Sequence, residues 1–308
     1  MVSVALGLAL LYLGAEFLVQ GGSRLAARLG VSPLIVGLTV VAFGTSSPEL
    51  LVSLSAALRG ANDVAVGNVV GSNVFNVTII LGLAALVRPP GVPAGLIRRE
   101  IPLLLVVSAV GFALVALGHV SRLAGISLLA GLCVYCATAV RAARKPPAPG
   151  ERLSPEAVGR TPAWLCLALV LAGLAVLVAG ARLFVAGAVE TARAYGVSDA
   201  AIGLTVVAAG TSLPELATSL VAAVKKETDV AVGNIVGSNV FNVLGILRIT
   251  ATISPLEVTG IGLREAGFLL GSALLMVPFA FSGRSISRAE GAVFLFVYGL
   301  YPYSLWPA

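Results

Sequence analysis

Two stretches with nearly the same spelling, GTSSPE at 44–49 and GTSLPE at 210–215, place a proline and a glutamate in the middle of apolar segments. Both residues are costly there. Pro48 has no N–H to offer the Gly44 carbonyl, and its ring crowds that turn. In hydrocarbon a freed carbonyl costs several kcal/mol unless a partner satisfies it, and a cation is one such partner. Glu49 follows at once, and an acidic side chain at a helix centre costs at least about 2.5–3.5 kcal/mol on insertion scales. Thr45 lies one turn before Glu49 and shares its face, and Ser46 adds a hydroxyl three residues before it. Gly210, Thr211, Ser212, Pro214 and Glu215 repeat the arrangement.

A second pair of stretches, GNVVGSNVFN at 67–76 and GNIVGSNVFN at 233–242, adds neutral oxygens. Ser72 and Asn76 are four residues apart and face the same way, as do Ser238 and Asn242. Gly67 with Gly71, and Gly233 with Gly237, have the spacing that lets membrane helices pack closely. Asn68, Asn73, Asn234 and Asn239 point elsewhere and suit interhelical hydrogen bonds. Asp63 and Asp229 sit at segment ends, where helix-start or interfacial roles suit them.

The donors are carboxylate, hydroxyl, amide and carbonyl oxygens. No His, Cys or Met constellation accompanies them, which argues against zinc, copper and iron. Two bidentate carboxylates and two carbonyls would give six ligands, within the range calcium prefers. Their charge of −2 would balance one Ca2+, and the same oxygens could be shared among several Na+ ions. A site that holds either ion, but not both together, is the physical basis of antiport. The competing account of Glu49 and Glu215 is a structural hydrogen bond or ion pair. Against it, the cost is incurred twice, each time beside a proline, and no basic residue is placed to pair with both. No nucleophile accompanies the glutamates, the single histidine, His119, falls in a loop, and an enzyme is not expected. Cys133 and Cys136 lie in one apolar segment and read as packing.

These residues need an apolar framework, and the composition supplies one. The 308 residues are 58% hydrophobic and only 11% charged, whereas soluble domains carry about 25% charged residues. Mean hydropathy is +1.02. Apolar runs near the length that crosses a bilayer recur. The expectation is an all-α polytopic membrane protein with ten spans, roughly 2–22, 33–58, 64–87, 98–118, 122–140, 163–187, 198–224, 230–253, 262–281 and 289–306. The polar stretch 141–162 reads as a linker. The first 15 residues lack the basic start of a cleavable signal.

Residues 30–77 align without a gap with 196–243, at an offset of 166 and with 33 of 48 positions identical. Five spans on each side of the linker force the halves 1–140 and 163–308 into opposite orientations, the inverted-repeat plan of secondary transporters. With the N-terminus outside, fourteen basic residues fall at inner ends and loops: Arg24, Arg28, Arg88, Arg98, Arg99, Arg141, Arg144, Lys145, Arg152, Arg160, Lys225, Lys226, Arg284 and Arg288. Four fall outside: Arg59, Arg122, Arg193 and Arg264. The bias orients the protein with its linker in the cytoplasm. The net charge of +6 therefore marks membrane orientation, and no nucleic acid partner is expected. Arg182 occupies the repeat position of Glu16 without an evident function.

With both α-repeats and the G-T-S-x-P-E and G-S-N-x-x-N signals in place, the chain resembles the cation/calcium exchanger superfamily, specifically the membrane region of sodium/calcium exchangers. The resemblance implies a cluster of four cation sites, one for calcium, with sodium competing for it. Glu49 and Glu215 would be shared by both ions. Thr45 and Thr211 would give backbone carbonyls to calcium, and Ala42 and Ala208 would give carbonyls to sodium. Ser46, Ser212, Ser72 and Ser238 would be hydroxyl ligands, with Asn76 and Asn242 completing the middle. Well-described prokaryotic members carry an aspartate where this chain has Asn242, so one potential negative charge is lost. The proton-coupled branch typically has G-N-A before its glutamate, and the G-T-S here favours sodium.

The expectation is Na+/Ca2+ antiport by alternating access, in an inner membrane, by a monomer and without a cofactor. Spans 2, 3, 7 and 8 would form a fixed core. Spans 1 and 6, with Gly14, Gly21, Gly22, Gly173, Gly180 and Gly187, would slide past it. A proton/calcium or potassium-dependent antiporter is the alternative, and a cation channel a remoter one. Flux that needs a pH gradient, or conduction without a counter-ion, would separate them.

Overall fold

The computed structural model describes residues 2–143, 161–196, 208–281 and 285–305. The helices are α1 (Val2–Leu29), α2 (Pro33–Thr45), α3 (Ser47–Leu58), α4 (Asn62–Val87), α5 (Leu96–Ala116), α6 (Arg122–Ala143) and α7 (Ala163–Ala194). They continue with α8 (Ala208–Gly210), α9 (Leu213–Val224), α10 (Thr228–Ile253), α11 (Leu263–Phe281) and α12 (Arg288–Leu305). Two short strands, β1 (His119–Val120) and β2 (Leu256–Glu257), pair antiparallel between loops. The protein is an all-helical, multi-pass membrane protein.

Seven of the described helices are long and apolar enough to cross a membrane, and the bent pair α2 and α3 makes an eighth. Of the ten expected spans, 198–224 is represented by α8 and α9, because 197–207 fall outside the described residues. The tenth is α12, whose apolarity is diluted by Tyr298, Tyr301, Tyr303 and Pro302. Most of the expected linker, 144–160, also lies outside the described residues.

The first and sixth spans run further than their apolar stretches suggest. α1 has 28 residues and α7 has 32, so they are about 42 and 48 Å long. Both exceed a hydrocarbon core of about 30 Å and must tilt or protrude. They lie against each other along a seam of glycines. A Cβ on Gly7 would lie 2.6 Å from Phe184 N, on Gly14 2.7 Å from Leu177 N, and on Gly21 2.9 Å from Val170 N. From the other side, Gly173, Gly180 and Gly187 meet the backbone N of Leu18, Leu11 and Val4 at 2.6, 2.8 and 3.0 Å. Partner numbers fall as glycine numbers rise, so the helices are antiparallel. Because α1 and α7 are repeat counterparts, this contact inverts one half relative to the other.

The same inversion appears elsewhere. A Cβ on Gly125 of α6 would meet Arg248 O and Thr252 of α10, whereas one on Gly291 of α12 would meet Gly82 O and Leu86 N of α4. Every partner shifts by the repeat offset. The centre belongs to α4 and α10: the apolar window of α10 is wholly buried and that of α4 72% buried, against 33% for α1 and 28% for α7.

Candidate functional site

The expected proline break is present, and it places the glutamates differently from mid-helix. Ser46 has φ −82° and ψ 8° and ends one helix and begins another, and Ser212, with φ −87° and ψ 8°, begins α9 two residues after α8 ends. α2 and α3 meet there at a bend of 43°. Glu49 and Glu215 thus fall in the first turn of α3 and α9. Unsatisfied N–H groups at a helix start present partial positive charge, which favours a carboxylate. The break that frees carbonyls therefore also lowers the cost of the acid beside it.

The two breaks are joined by crossed hydrogen bonds. Ser46 Oγ donates to Glu215 Oε1 at 2.8 Å, and Ser212 Oγ donates to Glu49 Oε1 at 3.0 Å. Thr45 Oγ1 lies 3.0 Å from Asn234 Oδ1, and Thr211 Oγ1 lies 3.4 Å from Asn68 Oδ1. Asn68 Nδ2 donates to Glu49 O and Ser53 Oγ, and Asn234 Nδ2 donates to Glu215 O and Ser219 Oγ. Each bond has its counterpart at the repeat offset. Glu49 and Glu215 are 1% and 0% exposed, and no Lys or Arg pairs with either among the described residues. Oε2 of each glutamate is buried without a hydrogen-bond partner among the described residues, an arrangement costly for an ionised carboxylate unless a cation or a proton joins it.

The middle of the network is less symmetric. Asn76 Nδ2 donates to Asn239 Oδ1 at 3.0 Å, and Asn239 Nδ2 donates to Asn73 O. Asn239, read from the sequence as an interhelical hydrogen-bonding residue, is one, and the bond it accepts comes from Asn76, an expected site residue. Ser72 Oγ lies 3.2 Å from Ser212 Oγ, whereas Ser238 Oγ and both amide atoms of Asn242 are buried and find no hydrogen-bond partner among the described residues. Ala42 O accepts from Ser46 N at 3.0 Å and lies 3.3 Å from Thr45 Oγ1. Ala208 begins α8, at the edge of the described residues. Among the described residues no three His, Cys, Asp or Glu side chains come together. The charge here resides on two carboxylates, and the surrounding groups are neutral.

Other expectations resolve as follows. The glycines of α1 and α7 face each other, except Gly22, whose Cβ would meet Val41 and Val36 of α2 at 3.4 and 3.5 Å. Asp63 accepts hydrogen bonds from Thr259 N and Gly260 N, a span-end role. Arg182 is exposed. Its counterpart Glu16 pairs with Lys225 at 2.6 Å. Ser53 and Ser219 were not singled out from the sequence, although both stand at identical positions of the repeat.

The sodium/calcium exchanger protein family model matches residues 1–141 and 165–306. The chain belongs to that family. The exchanger is 42% identical over 262 residues to inner membrane protein YrbG of Escherichia coli, covering 82% of this chain and 79% of that protein. It is 31% identical over 337 residues to sodium/calcium exchanger MaX1 of Methanosarcina acetivorans, covering 95% of this chain and 94% of that one. Its fold matches the solved structure of the sodium-calcium exchanger NCX_Mj with a TM-score of 0.86 and 33% identity, covering 99% and 98% of the two chains. Family membership places it among membrane transporters that exchange a cation for calcium, and not among enzymes. Ions are its cargo and it needs no cofactor.

Proposed function

We propose that the exchanger moves Na+ and Ca2+ in opposite directions through one buried site by alternating access. The observation that carries this reading is the crossed pair Ser46–Glu215 and Ser212–Glu49. It ties two carboxylates from opposite halves into one water-poor network and leaves each with an unpartnered oxygen. In this reading Glu49 and Glu215 ligate both ions, and the Thr45 and Thr211 carbonyls complete the calcium shell. The carbonyls of Ala42 and Ala208 and the hydroxyls of Ser46, Ser72, Ser212 and Ser238 serve sodium. Asn76 and Asn242 line the middle. The halves are 1–140 and 163–308, the N-terminus lies outside, and 141–162 is cytoplasmic. A single chain suffices, because both halves of the site come from it.

The test is uptake of radiolabelled calcium into proteoliposomes, driven by an outward sodium gradient, for wild type and Glu49→Gln. Sodium-driven uptake that the variant loses supports the reading. Wild-type uptake that ignores sodium and follows a pH or potassium gradient overturns the choice of sodium. A variant at the wild-type rate overturns the site.

A further inference from the structure

One buried hydroxyl outside the network bears on its geometry. Within α2, residues Gly37–Val41 form a π-helical turn. In an unbroken α-helix the Ala42 N–H would bond Leu38 O. Here it bonds Gly37 O, five residues back. Leu38 O instead accepts a hydrogen bond from Tyr135 OH at 2.9 Å. Tyr135 is 4% exposed and sits on α6, which contributes none of the expected ligands. On its other side Leu38 O abuts α10: a Cβ on Gly237 would lie 2.5 Å from it. The carbonyl displaced by the wide turn is thus bonded by Tyr135 and lies close against Gly237, the residue before Ser238.

We propose that Tyr135 is a positioning residue: its hydroxyl holds the Gly37–Val41 π-helical turn open and so sets where the Ala42–Thr45 backbone meets the transported cation. This rests on the reading of that backbone as part of the cation site. A π-helical turn inserts one residue into a helix and so rotates everything beyond it. Without a donor for Leu38 O, Ala42 N–H would return to it, the turn would tighten, and Ala42 and Thr45 would swing relative to α10. The repeat supports the assignment independently. GLTVV recurs at 203–207. Over 122–140 only Arg122, Gly125, Leu129 and Tyr135 have identical counterparts, at Arg288, Gly291, Leu295 and Tyr301. Tyr301 packs its ring on Phe268 and Tyr298, so what the repeat retains is a tyrosine at this position of the helix where most neighbours diverged.

The experiment compares wild type, Tyr135→Phe and Gly237→Ala, purified in full length, by equilibrium binding of radiolabelled calcium and by sodium-driven calcium exchange. Tyr135→Phe removes only the hydroxyl. Gly237→Ala would place a Cβ 2.5 Å from Leu38 O and so tests, with the Tyr135 hydroxyl in place, whether moving that carbonyl changes calcium affinity. The expected result is a Kd and KM for calcium raised about three- to tenfold, the equivalent of one lost hydrogen bond, with maximal rate changed less than about twofold. A reduced rate or a reduced thermal midpoint at unchanged Kd would assign Tyr135 to packing and overturn the proposal. Wild type that binds calcium without exchanging it for sodium overturns the antiport reading alone. Wild type that exchanges, with both variants at the wild-type Kd, overturns the positioning role alone.

Discussion

The hydroxyl of Ser46 lies 2.8 Å from Oε1 of Glu215, in the opposite half of the chain. Ser212 returns the same contact to Glu49 at 3.0 Å. Each proline break therefore supplies the hydroxyl that holds the other's carboxylate, and neither half can build the site alone.

The crossing predicts a specific pattern of coupling. In double-mutant cycles read by calcium affinity, Ser46→Ala with Glu215→Gln should show a coupling of about 1.5–3 kcal/mol, the range for a hydrogen bond to a charged group. Ser46→Ala with Glu49→Gln, neighbours in sequence, should be close to additive. The reverse pattern would mean that each hydroxyl serves its own half.

Neutralising either carboxylate should separate binding from stability. Glu49→Gln and Glu215→Gln are expected to lose the calcium-dependent rise in thermal midpoint, worth about 2.7 kcal/mol at a hundredfold excess over Kd. Without calcium they should be at least as stable as wild type, because a buried charge without a countercharge is removed. Thermal melts with and without calcium check both halves of this expectation.

The glycine seam should be intolerant where backbones touch and tolerant elsewhere. Gly14→Ala and Gly173→Ala place a Cβ 2.7 and 2.6 Å from backbone nitrogen, and overpacking of that kind costs about 1–3 kcal/mol. Gly22→Ala meets only side chains, at 3.4 Å or more, and should change the thermal midpoint little.

The ion pair of Glu16 with Lys225 ties α1 to the end of α9 at 2.6 Å, beside Gln20, which also donates to Glu16. The repeat counterparts are Arg182 and Arg59, so the opposite face has no such tie. Both partners are partly exposed, and the pair is worth at most about 1 kcal/mol. Lys225→Met should lower the thermal midpoint by that equivalent, and the charge swap of Glu16→Lys with Lys225→Glu should restore it. Arg182→Ala should leave the midpoint unchanged.

Much of the site was readable because the chain states it twice. Thr45, Ser46, Pro48 and Glu49 recur as Thr211, Ser212, Pro214 and Glu215, and a cost repeated at a fixed offset marks the residues that matter. Other features were not readable. Spacing along one helix says which side chains share a face, but not what the face meets, so Asn239 could not be linked to Asn76 or Tyr135 to Leu38. The π-helical turns at Gly37–Val41, Asn76–Ile80 and Asn242–Leu247 were not read from the sequence, although Thr39 and Thr78, in the middle of the first two, donate to the Ile35 and Val74 carbonyls one turn back. The length of α1 and α7 was underestimated because both helices continue past their apolar stretches, over 23–29 and 188–194, where Arg24, Arg28, Glu190 and Arg193 interrupt the hydrophobic pattern.

By itself the amino-acid sequence determined the membrane setting, the inverted halves and the oxygen chemistry of the paired breaks, since these follow from composition, span parity and residue type. Tertiary structure alone decided that Ser46 belongs to Glu215, that both glutamates sit at helix starts, and that among the described residues Ser238 and Asn242 lack the partners their counterparts have. Those relationships join residues more than a hundred positions apart, and only packing brings such residues within hydrogen-bond distance.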